Sequence, residues 1–109
     1  MLDEFTKKRV ERILNAFIEQ KVPKEVRHQV KLVYKFRGQT VTLGEERLGY
    51  MDRWVEYDVA QFRLDKETKE WTVYWRDSKN KWHLIDDIEP NADFEKQLQL
   101  VDRNPVLWH

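Results

Sequence analysis

Trp71-Thr72-Val73-Tyr74-Trp75-Arg76, followed after Asp77-Ser78-Lys79-Asn80 by Lys81-Trp82-His83-Leu84-Ile85, is the stretch that decides the fold. Large apolar side chains recur at every second position on both sides of a polar turn. That is the pattern of two strands paired as a hairpin. Trp71, Val73 and Trp75 share one side of the first strand, and Thr72, Tyr74 and Arg76 share the other. Tryptophan buries a large apolar area, so the Trp71/Trp75 set is the expected core face. The opposite face then presents Tyr74 and Arg76, joined by His83 from the second strand, as an aromatic between two donors. A surface of that kind suits a stacked ring or a partner's side chain.

Upstream of the hairpin the same period of two continues. Val30, Leu32, Tyr34 and Phe36 alternate with Lys31, Val33, Lys35 and Arg37, which predicts a half-buried strand. Arg37-Gly38-Gln39 predicts a tight turn, and Thr40–Leu48 the returning strand, with Gly44 marking a bulge or a close backbone approach. A further strand spans Trp54–Leu64. Val55, Tyr57 and Val59 hold the apolar phase first, then Ala60, Phe62 and Leu64 take it over, which predicts a β-bulge near Val59-Ala60. Asp65–Lys69 is a polar hairpin loop.

Helical spacing appears only at the two ends. Val10, Ile13, Leu14, Phe17 and Ile18 follow the i, i+3, i+4, i+7, i+8 template over about Asp3–Gln20, with Asp3 as the N-cap and Pro23 as the stop. Glu4, Glu11 and Glu19 dilute its basic face, which favours packing on the protein's own sheet over lying on a membrane. A short second helix is expected over Ala92–Asp102, capped by Asn91, with Phe94, Leu98 and Val101 inward and the apolar tail Val106-Leu107-Trp108-His109 after it. The expected architecture is α+β: an N-terminal helix, a curled five-stranded antiparallel meander and a short C-terminal helix, in one domain over residues 1–109.

Composition narrows the function classes. The chain has 109 residues, 37% of them charged and 40% hydrophobic, too apolar to stay disordered. Lys plus Arg number 20 and Asp plus Glu number 20, so the broad basic excess usual in nucleic-acid binders is missing, and little net repulsion opposes self-association. With no cysteine, thiolate nucleophiles, disulfides and cysteine-ligated zinc are excluded. The N-terminal residues lack a signal-peptide apolar core and no segment has the length of a membrane span, so a cytoplasmic protein is expected.

Catalytic motifs are correspondingly sparse. The glycines Gly38, Gly44 and Gly49 are scattered and form no phosphate loop. His83-x-x-Asp86 is short of a metal site, which needs three or four ligands. Glu45 and Glu46 point to opposite faces of a strand and cannot act as paired carboxylates; an ion pair of one of them with Arg47 or Arg76 is expected instead. Lys31, Lys35 and Arg37 form a basic strand face that reads as a solvated edge.

These pieces resemble a bacterial family of short proteins, domain of unknown function 3024. The tryptophan hairpin carries most of the resemblance. Pro23-x-x-x-Arg27, Tyr34-x-x-Arg37-Gly38-Gln39, Leu43-x-Glu45-x-Arg47 and Val101-Asp102-x-Asn104-Pro105 with Trp108 resemble the family's opening, first turn, glutamate-bearing strand and aromatic ending. The similarity spans residues 23–108, after a helix over residues 1–22. It departs from the family pattern at Leu84-Ile85 and Val106-Leu107. It implies no activity, cofactor or metal. The reading is a non-catalytic binding module that uses Tyr74, Arg76, His83, Glu45 and Arg47, with a protein or a second copy as partner. The alternatives are single-stranded nucleic-acid binding and a small enzyme using His83 with a carboxylate.

Overall fold

The computed structural model describes residues 2–108, so His109 of the expected tail lies outside the described residues. A helix α1 (Glu4–Lys21) leads into strands β1 (Val30–Arg37), β2 (Thr40–Leu48), β3 (Trp54–Leu64), β4 (Trp71–Arg76) and β5 (Trp82–Leu84), then helix α2 (Phe94–Asp102). Asp3 caps α1 as expected, its Oδ1 accepting the Thr6 N–H at 2.6 Å. Val10 and Leu14 are buried, with Ile13 and Phe17 packed beside them. Each full burial is worth about 1.5–3 kcal/mol, enough to hold an amphipathic helix that is marginal in isolation.

The strands lie in sequence order β1-β2-β3-β4-β5, every neighbour antiparallel. Gly38, at φ 58°, makes the turn between Arg37 and Thr40. The expected bulge is present. Leu43 pairs with Ala60 but Gly44 pairs with Asp58, so Val59 is the extra residue, and both Val59 and Ala60 are buried. Gly44 permits this crossing: a Cβ there would stand 3.3 Å from the Tyr57 carbonyl oxygen and 3.6 Å from Val33 Cγ2.

Both helices pack on the side that carries Val41, Leu43, Phe62 and Val73, and Phe94 of α2 wedges between Phe62 and Trp71 at ring-centroid distances of 4.8 and 5.1 Å. Gln97 is wholly buried in this apolar interior. Its Nε2 donates to the Trp71 carbonyl at 2.8 Å and the Glu89 carbonyl at 2.9 Å, at the expense of an Oε1 left unpaired among the described residues. The cap of α2 corrects the sequence expectation. Asp93 holds that place, its Oδ1 accepting from the Glu95 and Lys96 amides. Asn91 lies two residues earlier because its backbone forms a two-bond bridge with Trp71. The two helix ends are joined by Lys21–Asp102 at 2.6 Å, while the Trp108 indole N–H donates to Val101 at 3.0 Å. Among the described residues no helix is long and apolar enough to cross a membrane.

Gly44→Val should lower the unfolding free energy by about 1–3 kcal/mol, because two methyls enter a filled crossing of β2 and β3. Urea denaturation of the purified variant measures this.

Candidate functional site

The two faces of the sheet have different chemistry, and the ladder assigns each side chain to one of them. Across β4 and β5, Tyr74 pairs with Leu84, Trp75 with His83 and Arg76 with Trp82. The expectation that Tyr74, Arg76 and His83 project together is therefore corrected. His83 stands on the helix side beside Trp75, and Tyr74 and Arg76 stand on the open side with Trp82 and Leu84. The cause is the connection: residues 77–81 are an odd number, so positions of equal parity on the two strands share a face.

Each half of the divided set has its own partners. The His83 ring stacks on Trp75 at 4.9 Å and 29°, and its Nε2 lies 2.6 Å from Asp77 Oδ2. Asp77 also accepts the amides of Lys79 and Lys81 on Oδ1, so one carboxylate shapes the turn and orients the imidazole. Trp71 is 3% exposed and serves the core as expected, whereas Trp75 is 38% exposed.

On the open side the strand cations other than Arg37 are tied down. Arg76 is paired with Asp58, and Lys35 with Glu56 at 3.1 Å. The Arg63 guanidinium lies 3.8 Å from the centre of the Tyr74 ring, and Lys31 lies 4.4 Å from that of Trp54. The sheet curls enough for side chains of all five strands, among them Lys35, Thr42, Gln61, Arg76 and Trp82, to enclose a hollow of about 490 Å³.

Glu45 and Arg47 lie elsewhere. Both point to the helix side near the C-terminal end of β2, where Glu45 is 6% exposed, pairs with Leu32 and Tyr57 in the ladder, and bridges to Arg47. They floor a hollow of about 240 Å³ walled by Val22, Val30, Leu32 and Trp108. The expected glutamate–arginine pair is thus Glu45–Arg47. A carboxylate so buried requires such a counter-charge. The expected site residues consequently fall into three separate places, not one.

Sequence reading missed the corner where β2 turns into β3. Tyr50 is 88% exposed and Met51 72%, and Trp54, Val55 and Tyr57 continue the exposed apolar run. β3 pairs with β4 only from Gln61 onward, so residues 54–58 have a ladder partner in β2 alone. Met51 and Asp52 hold φ of 60° and 58°, a left-handed pair without glycine. Aspartate tolerates such a backbone, but nothing announces it at Met51, because methionine does not favour it. Among the described residues no group of three or more His, Asp or Glu side chains is placed to hold a metal ion.

The family described as Domain of unknown function (DUF3024) matches residues 2–109. The chain belongs to DUF3024. The DUF3024 match takes in α1 as well, reaching beyond the 23–108 stretch that carried the resemblance. No curated protein and no solved structure matches the chain.

In this DUF3024 protein the hydrogen bond from His83, followed by the Lys81 amide, holds the Asp77 carboxyl below its ordinary value of 3.8. Backbone amides do the same for Asp65 and Asp3. A depressed carboxyl stabilises the fold fully above its unfolded value, and that stabilisation is lost as pH falls through the lower folded value. The urea midpoint should therefore hold from neutral pH down to about pH 5 and fall below about pH 4. Asp77→Asn should reduce the midpoint at neutral pH and shrink the acid-induced fall.

Proposed function

We propose that this protein is a non-catalytic binding module whose partner, another protein, docks on the Tyr50–Tyr57 corner. The exposed apolar run carries the reading. Isolated apolar side chains on a surface need no explanation, but Tyr50 and Met51 project together at the corner, flanked by half-exposed Val55 and Tyr57 on the helix side and Trp54 on the open side. Aromatic residues and methionine are the types enriched in the centres of protein interfaces. The backbone that presents them is strained at Met51, where a non-glycine residue held left-handed costs on the order of 1–3 kcal/mol; Asp52, a type that tolerates this region better, follows in the same conformation. The core gains nothing from either side chain.

A second reading, single-stranded nucleic acid on the open sheet face, is favoured by Lys35, Arg37 and Arg76 around the large hollow with Trp82. Arg37 has no ion pair among the described residues. Against it, the Tyr74 and Trp54 rings that would stack bases already lie under cations.

The double variant Tyr50→Lys/Met51→Lys separates the two readings. It should keep the wild-type unfolding midpoint, since both side chains are solvent-exposed. It should also lose at least about tenfold in affinity for a protein that binds the wild-type chain. Equal recovery of that protein by both chains would remove the corner from consideration. Salt-dependent oligonucleotide binding abolished by Arg37→Ala would select the nucleic-acid reading.

A further inference from the structure

A hollow of about 280 Å³ lies between the first turns of α1, the Asp65–Lys69 loop and the start of α2, away from every surface discussed above. Its deep wall is part of the core. Val10, Leu64, Trp71 and Phe94 line it, and Trp71 and Phe94 are locked edge to face at 5.1 Å. This wall is apolar and preformed. The rim is charged. Arg9 comes from α1 and Lys69 from the loop, and neither is within 4.0 Å of a carboxylate among the described residues.

Lys69 is held in position. Its backbone is left-handed at φ 59°, its N–H donates to the Asp65 carbonyl at 2.9 Å, and Asp65 Oδ1 accepts the Glu67 and Thr68 amides. Asp3 also lines the hollow, but its Oδ1 is taken by the Thr6 amide. That carboxylate keeps its charge and is drawn to Lys69, so two cations face one anion and the rim keeps an excess of positive charge. Phe5, one helical turn before Arg9 and on the same flank, borders the hollow with its ring 81% exposed.

We propose that this hollow binds a small organic acid, its carboxylate held between Arg9 and Lys69 and its apolar body lying along Phe5 and the Trp71–Phe94 wall. An arginine fork suits a carboxylate, and a lysine opposite it adds a second charge-assisted hydrogen bond. The volume lies just under the usual range for ligand pockets, which limits the body to one ring or a short chain. The inference is independent of the Tyr50–Tyr57 corner.

The test is an NMR titration of the full 109-residue chain with phenylacetate, acetate and phenethylamine, followed at the Trp71 indole N–H and the Thr6 amide. Phenylacetate should shift both resonances saturably. Acetate, lacking the ring, should bind at least about tenfold more weakly, and phenethylamine, with the opposite charge, should leave both unmoved. Arg9→Gln and Lys69→Gln should each weaken phenylacetate by about tenfold or more. Ala92→Phe, which fills the mouth from an exposed position, should abolish its shifts. The proposal is overturned if phenethylamine binds as tightly as phenylacetate, or if neither Gln variant changes the affinity. It is equally overturned if no saturable shift occurs up to about 10 mM acid, an affinity too weak for a built site.

Discussion

The arrangement of this molecule depends on one extra residue. Val59 sits in β3 without a counterpart in β2, so the side chains before it and after it obey opposite parities. Past the bulge, Ala60, Phe62 and Leu64 face the helices. Before it, Glu56 and Asp58 face the open side, where Lys35 and Arg76 meet them. In an unbroken strand, Glu56 and Asp58 would share a face with Phe62 and enter the core, and two unpaired carboxylates there are prohibitive. The bulge also interrupts the regular ladder of β3, as bulges do. Ladder pairing between β3 and β4 stops at Gln61 with Tyr74, and the Trp54–Tyr57 run is left in solvent. Core, charge pairing and exposed corner follow from the same insertion, and Gly44 is the residue that lets the two backbones cross there.

Much of this was legible in the amino-acid order. The phase change at Val59-Ala60 named the bulge, since a period of two cannot change parity without an added residue. The spacing of Val10, Leu14 and Phe17 named the buried flank of α1, and strand limits at Thr40–Leu48 and Trp54–Leu64 agreed with the ladder. What failed were features set by two segments jointly. Asn91 and Asp93 are both good caps, and the bridge to Trp71 decides between them. The side taken by His83 depends on whether the connection after Arg76 is odd or even, which a polar tetrapeptide does not reveal. The burial of Glu45 comes from its neighbours Leu32 and Tyr57, which lie on two other strands.

The charges obey a local rule. A chain with 37% charged residues and no net charge could have kept its cations and anions apart. Here they meet as neighbours on the sheet: Lys35 with Glu56, Arg76 with Asp58, Arg47 with Glu45, and Arg63 and Lys31 over aromatic rings. The exposed pair Lys35–Glu56 contributes only about 0–1 kcal/mol, whereas Glu45 and Asp58 are largely buried and need their arginines. On the open face the two ion pairs neutralise Lys35 and Arg76 at short range, while Lys31, Arg37 and Arg63 keep their charge.

The residues that the fold does not use are the informative ones for function. Core positions such as Leu14, Phe62 and Val73 are explained by burial alone. Met51 and Tyr50 are not: both bury little, and at Met51 a glycine or asparagine would adopt the left-handed backbone with less strain. Lys69 is a second such case, left-handed in a loop whose other bonds come from Asp65. Local sequence preference and global fold normally agree, and conflicts concentrate where something other than stability is selected. In this molecule the conflicts fall on an exposed apolar corner and on the cationic rim of a hollow. Each is a place where an added molecule would use the very side chain that the fold leaves idle.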